Sequence, residues 1–307
     1  MAPNGAPPPP PSPPPRGGDE RARGLGYGLA AYLAWGLLPL YFKALRAVPP
    51  LEVLAHRIVW SLALLAAVVA LRGGRSAFRE AFRPRRLPIL AVTSALIATN
   101  WLVYIWTVQS GRVLEGSLGY FVNPLVNVLL GVLFLGETLS RAQKIAVAVA
   151  ATGVAVLVLR AGHVPWVALV LALTFGLYAM LRKRAAADAL GGLLVETALL
   201  AVPALAWLAA RAASGAGAFG GVASTTLLLA AAGPITALPL VGFAYAVKRL
   251  RLSTIGLVQY VTPTSQFLLA VLLYREPFGA PHAVAFAAIW ASLALYSWDA
   301  LARARWR

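Results

Sequence analysis

The residues with most chemical potential are polar or ionisable groups set inside apolar runs. Arg57 stands beside His56 in one such run. A charge at membrane depth is costly, so it marks a partner, a pathway or an interface. Arg57 is a candidate to bind an anionic group or to pair with a carboxylate, and Glu115 is the nearest candidate partner. The structural alternative is snorkelling of Arg57 to the headgroups. His56 titrates near neutral pH when unperturbed, so His56, Arg57 and Glu115 are candidates for charge selection or proton coupling. Glu196 lies in a later apolar run and is either a further coupling group or a residue that reaches the interface.

Neutral polar residues fall on helix faces. Asn100, Tyr104 and Thr107 follow at i, i+4 and i+7 and share one face. Tyr120, Asn123 and Asn127 share another, and Gln259 and Gln266 repeat that pattern later in the chain. These side chains either line a path for an organic substrate or hydrogen-bond between packed helices. Pro124 and Pro263 sit within the same two runs, and each removes the amide that would bond the carbonyl four residues earlier, Tyr120 or Gln259. Kinks at matching places in two halves point to a transport site, and kinking for packing alone is the alternative. Glu137 and Glu276 end their runs and read as boundary residues able to lock gates. Gly119, Gly131, Gly153 and Gly176 are small enough for close helix contact. No metal-ligand spacing, Walker sequence or Gly-x-Ser-x-Gly elbow appears, so no metal, no cofactor and no catalytic constellation is expected. Cysteine is absent, which removes disulfides and thiolate chemistry.

The elements that position these residues are membrane helices. The chain is 60% hydrophobic with 12% charge and a mean hydropathy of +0.75. Globular domains are roughly half apolar, so this composition needs lipid. Ten apolar runs of a length near that needed to span the bilayer are expected, at 24–43, 51–71, 87–108, 113–135, 142–159, 164–181, 190–210, 225–247, 252–274 and 281–300. The net charge of +17 does not signal nucleic acid, because the cations flank the apolar runs. With the N-terminus inside, 20 of the 27 Lys and Arg residues fall on the cytoplasmic side and 6 outside, with Arg57 within a span. That bias predicts both termini in the cytoplasm and an even number of spans. Residues 1–23 form an expected disordered tail, with nine prolines in the first fifteen positions, and 303–307 form a basic tail.

The chain also repeats itself. Pro124 matches Pro263 and Glu137 matches Glu276 at an offset of 139. Trp35-Gly36-Leu37 with Lys43 matches Phe175-Gly176-Leu177 with Lys183 at 140. Five spans, then five more, predicts an all-α polytopic fold of two inverted five-helix repeats, 24–160 and 161–302. A chance match between Leu/Val-rich helices is the alternative.

Specific runs carry a family resemblance. His56-Arg57-Ile58-Val59-Trp60-Ser61, Asn100-Trp101 with Ile105-Trp106, and the stretch Leu114 to Asn127 resemble the RarD-type permeases of the EamA family, in the drug/metabolite transporter superfamily. So do Gly176-Leu177-Tyr178 with Arg182-Lys183, Val195-Glu196-Thr197, and Arg249 to Thr254 leading into Gln259-Tyr260 and Pro263-Thr264. The likeness spans about 24–302. It implies ten helices in two inverted repeats and a multi-pass permease of the bacterial inner membrane; members are called chloramphenicol-sensitive. Gln109-Ser110 replaces an Asn pair common in that family, and the proline tail is foreign to it. The expected function is secondary transport of a small organic metabolite or drug-like molecule, with the bilayer as the other partner and a homodimer left open. A passive channel, a membrane-embedded enzyme and a non-transporting adaptor are the alternatives.

Overall fold

The computed structural model describes residues 17–71, 82–135, 139–161, 164–185, 189–247, 249–250, 255 and 258–305. These residues are mostly helical and carry no strand. Helices answer the constraint of lipid, where every backbone N–H and C=O must find its partner within the chain. In order they are α1 (Gly17–Gly36), α2 (Leu38–Ala44), α3 (Pro50–Leu71), α4 (Leu87–Gln109), α5 (Val113–Leu135), α6 (Arg141–Ala161), α7 (Trp166–Ala185), α8 (Ala189–Ala213), α9 (Ala223–Val247), α10 (Val261–Leu268) and α11 (Ala280–Arg305). A π-helical turn, Leu269–Leu273, continues α10.

Eight helices among the described residues are long and apolar enough to cross a membrane, with α1 and α2 counting as one. Two apolar stretches are shorter, Trp166–Arg182 and Val261–Leu273. Large apolar side chains such as Leu133, Leu159, Val202 and Leu227 stand on the outside. Buried Phe42, Phe121, Ile105, Leu171, Phe286 and Ile289 form the interior. Helix α6 packs on α11, α5 on α7 and α10, α3 on α8 and α9, α1 on α9 and α10, and α4 on α7 and α8.

Two expectations change. Helix α1 begins at Gly17, so the last residues assigned to a disordered tail are helical once the prolines end; the proline tail itself, through residue 16, lies outside the described residues. The run at 252–274 is interrupted: residues 255 and 258 are helical, a turn follows at Gln259–Tyr260, and Pro263 stands in the first turn of α10, next to that break. The Gln259 carbonyl that Pro263 cannot engage accepts from the Thr262 N–H instead, at 3.3 Å. Pro124 does lie within α5, as do Pro203 in α8 and Pro234 and Pro239 in α9. Glu137 and the stretch 251–254 lie outside the described residues.

Gly111 shows how tightly the chain turns. Its φ of +71° ends α4, Arg112 N–H bonds the Thr107 carbonyl at 2.9 Å, and Gly111 N–H bonds that of Val108 at 3.2 Å. This glycine cap lets α5 start within two residues, so α4 and α5 run back to back.

Candidate functional site

Polar groups gather in three clusters. The first cluster surrounds Arg57, which α3 carries into the interior with only 6% of its surface exposed. Its Nε donates to Thr236 Oγ1 of α9 at 2.9 Å. The guanidinium carbon stands 4.2 Å from the Trp101 ring centre and 5.8 Å from that of Phe42. Tyr41, Tyr104 and Tyr120 lie close enough to feel its charge. The Tyr104 ring meets Phe42 and Tyr120 edge-on at 5.9 Å and 5.5 Å, and its hydroxyl is buried with no hydrogen-bond partner. Tyr120 donates to Asn100 Oδ1 over a long 3.5 Å. Asn100 Nδ2 donates to the Leu171 carbonyl at 2.9 Å and to Thr174 Oγ1 at 3.0 Å, which ties α4 to α7.

The expected partnership of Arg57 with Glu115 does not form. Glu115 Oε2 pairs with Arg112 at 2.7 Å, and Oε1 accepts from the Val167 N–H at 3.1 Å, capping α7. The reason is position: Glu115 lies in the first turn of α5, where the free amides of α7 begin. His56 is buried and stacks on Phe219 at 4.9 Å, with Nε2 unpartnered. Asn123 and Gln266 are buried too, and Asn123 Oδ1 and Gln266 Oε1 have no partner. Gln266 Nε2 donates to the Trp35 carbonyl at 3.3 Å. Gln259 is half-buried and Asn127 is exposed.

The second cluster lies toward the opposite end of the bundle. Glu196 on α8 is fully buried. Its carboxylate accepts from Thr93 Oγ1 at 2.6 Å and Tyr178 OH at 3.1 Å, and meets Arg182 Nε at 3.5 Å. Gly192 makes the room: a Cβ there would run into the Arg182 guanidinium.

The third cluster joins helix ends. Glu276 accepts from the Val113 and Leu114 N–H groups at 2.8 Å and 2.7 Å, so the chain after α10 caps the start of α5. Arg275 adopts φ +53° to bring it there. Burial pushes the Glu276 carboxyl above its ordinary 4.5, against the two amides and Lys43, which pull it down. Lys43 donates to the Val108 carbonyl at 3.3 Å and lies 5.1 Å from the Tyr274 ring centre. Gln109 Nε2 ties to the carbonyls of Leu45 and Val48 at 2.9 Å and 3.2 Å, so that side chain holds a connection together. Glu52, 1% exposed, binds Arg211 at 3.1 Å and the Ala218 N–H at 2.5 Å.

Glu52, Thr236, Thr93 and Tyr41 escaped the sequence reading. Glu52 carried a usable signal: it is an acid in the first turn of an apolar helix, on the same side as the isolated cation Arg211. The hydroxyls carried none, because Ser and Thr satisfy themselves on their own helix as readily as across to a neighbour. Thr236 does both, donating to the Ala232 carbonyl at 2.7 Å while accepting from Arg57.

Residues 22–159 match the model of the EamA-like transporter family. The chain is similar to an uncharacterized transporter of Vibrio cholerae, 46% identical over 92% of this chain and 94% of that protein. It is similar to the protein RarD of Streptomyces exfoliatus, 44% identical over 94% of this chain and 92% of that protein. The chain belongs to the EamA-like transporter family. The RarD-type resemblance read from its motifs therefore holds along most of the chain. A crystal structure superposes with a TM-score of 0.58 over 90% of this chain and 97% of that one at 22% identity, a likeness of fold. With eight span-length apolar helices, this is a multi-pass bacterial membrane protein of a transporter family.

Proposed function

We propose that this protein is a secondary transporter of a small organic solute, working by alternating access between two inverted five-helix halves. The short stretches in α7 and α10 supply the sixth and ninth of ten crossings, and both termini face the cytoplasm. The observation that carries the reading is a reciprocity in packing. A Cβ on Gly36 would meet the Ser265 side chain at 2.7 Å, and one on Gly176 would meet Val126 at 3.0 Å. Gly36 and Gly176 are 140 positions apart, and Val126 and Ser265 are 139 apart, so each contact is the other with the halves exchanged. Gly119 against Ala168 and Val258 against Gly28 form a second such pair. The helix neighbours behave alike: α1 packs on α9 and α10 as α7 packs on α4 and α5. Such an exchange is what rocking between two equivalent states requires.

In this reading Tyr104, Tyr120, Asn123 and Gln266 contact the solute, and Asn100 positions Tyr120. Glu276 closes the outer end by capping α5, and the gain and loss of its proton is where a proton gradient couples. The chain contains no cysteine, so single cysteines report access without background. Cysteines placed beside Tyr104 and at each helix end, in proteoliposomes, are labelled from one side at a time. Labelling from both sides, with reciprocal protection on imposing a pH gradient, is the expected result. Labelling of the central position from one side only, together with flux that neither saturates nor exchanges, would replace the carrier with a channel.

A further inference from the structure

We infer that Arg57 and Tyr104 form an anion site, and that the solute is a small planar organic acid bound as its monoanion. The inference deepens the transporter reading by naming a substrate class. Arg57 is almost completely buried, and its guanidinium has five N–H donors, of which Nε is engaged by Thr236. The described carboxylates that are buried or half-buried are engaged elsewhere. Glu52 holds Arg211, Glu115 holds Arg112, Glu196 holds Arg182, Glu276 holds the α5 amides and Asp299 accepts from Ser140. Among the described residues, no ion pair reaches Arg57.

A buried cation without a counter-ion is expensive, more so in a membrane protein. Snorkelling does not relieve it, because the group is buried. The Trp101 and Phe42 faces offset part of the cost but supply no hydrogen-bond acceptor to the terminal nitrogens. A carboxylate does: the two terminal nitrogens form a fork that fits its two oxygens. Tyr104 adds a buried hydroxyl with no partner, beside the same ring cluster. One cation matches one negative charge, so a carboxylate fits better than a phosphate dianion. The aromatic surroundings, Phe42, Trp101, Tyr104 and Tyr120, suit a flat apolar body behind that carboxylate.

The test uses the full chain in lipid nanodiscs and two matched probe pairs, benzoate with benzamide and indole-3-acetate with indole-3-acetamide. Titration calorimetry and thermal shift read binding without requiring transport. The acid of at least one pair should bind, and its amide at least about tenfold more weakly, the loss expected when a charge-assisted hydrogen bond is missing. R57Q should lose that preference while melting at or above the wild-type temperature, since it removes an uncompensated charge. Y104F should weaken the acid about threefold to tenfold and leave the amide unchanged. R57K should keep part of the preference, which carries the test should R57Q fail to fold. Equal binding of acid and amide, undiminished acid binding in R57Q, or no acid binding at all would overturn the anion site. Acid binding without exchange flux in proteoliposomes would instead leave the site standing and remove the transporter reading.

Discussion

Arg57 and Glu196 are 139 positions apart, the offset that separates the other matched residues of the two halves. Each sits the same distance into its helix, α3 from Pro50 and α8 from Ala189. Each is buried, and each meets a threonine of a helix from the other half, Thr236 or Thr93. There the likeness ends. Glu196 has a cation, a phenol and a hydroxyl around its carboxylate. Arg57 has one hydroxyl and two aromatic faces. In the proposed two-half arrangement these positions correspond, and one holds a satisfied charge and the other an unsatisfied one. The lesson is that burial alone does not identify a functional charge; the inventory of its partners does.

That contrast can be broken most forcefully at the satisfied site. Glu196→Ala leaves Arg182 without its carboxylate in the interior and should cost about 3–5 kcal/mol. It reads as loss of folded protein in detergent or nanodiscs, with E196Q milder because Thr93 and Tyr178 retain an acceptor. Wild-type stability in E196A would make the two sites alike. The packing that holds Arg57 against α9 comes next. Gly233→Ala brings a Cβ to 2.5 Å from the Trp60 carbonyl oxygen, so α3 and α9 must separate, at about 1–3 kcal/mol. That separation also withdraws Thr236, so acid binding should fall together with stability. Thr236→Val, which keeps the shape and removes the hydroxyl, should cost about 1 kcal/mol and loosen Arg57 with little other change. Its measure is the melting temperature with and without benzoate.

The smallest expected effect concerns Glu276, which sharpens the contrast from a third position. Its folded pKa is raised above 4.5, so its contribution to stability is fully present at acid pH and is lost as pH rises through the raised value. The difference in melting temperature between wild type and E276Q should therefore be more favourable to wild type near pH 4 than at pH 8. The reverse slope would mean that the amides of Val113 and Leu114, with Lys43, outweigh burial.

Much of this was legible beforehand. The helices α3, α4, α5, α8 and α9 begin and end within a few residues of their apolar runs, because lipid length fixes the run. The polar faces were legible as periodicity. Their partners were not: Asn100 turned out to be tied to Leu171 and Thr174, and Asn127 lies exposed, though both share the same pattern of spacing. A helix face is a local property, whereas the helix that covers it is chosen by packing across the chain.

The sequence by itself determined the class, the apolar helices and the internal offset, since composition and periodicity act within one segment. Only the tertiary structure decided which charges are paired. Glu115 looked like the partner of Arg57 and Glu276 like a boundary acid, and they became caps of α7 and α5, because helix starts expose amides wherever the fold brings them. Arg57 looked like one end of an ion pair and was left without the other. Partnership depends on separations of 52 residues for the Glu115 cap and 163 for that of Glu276, and those close only when the bundle does.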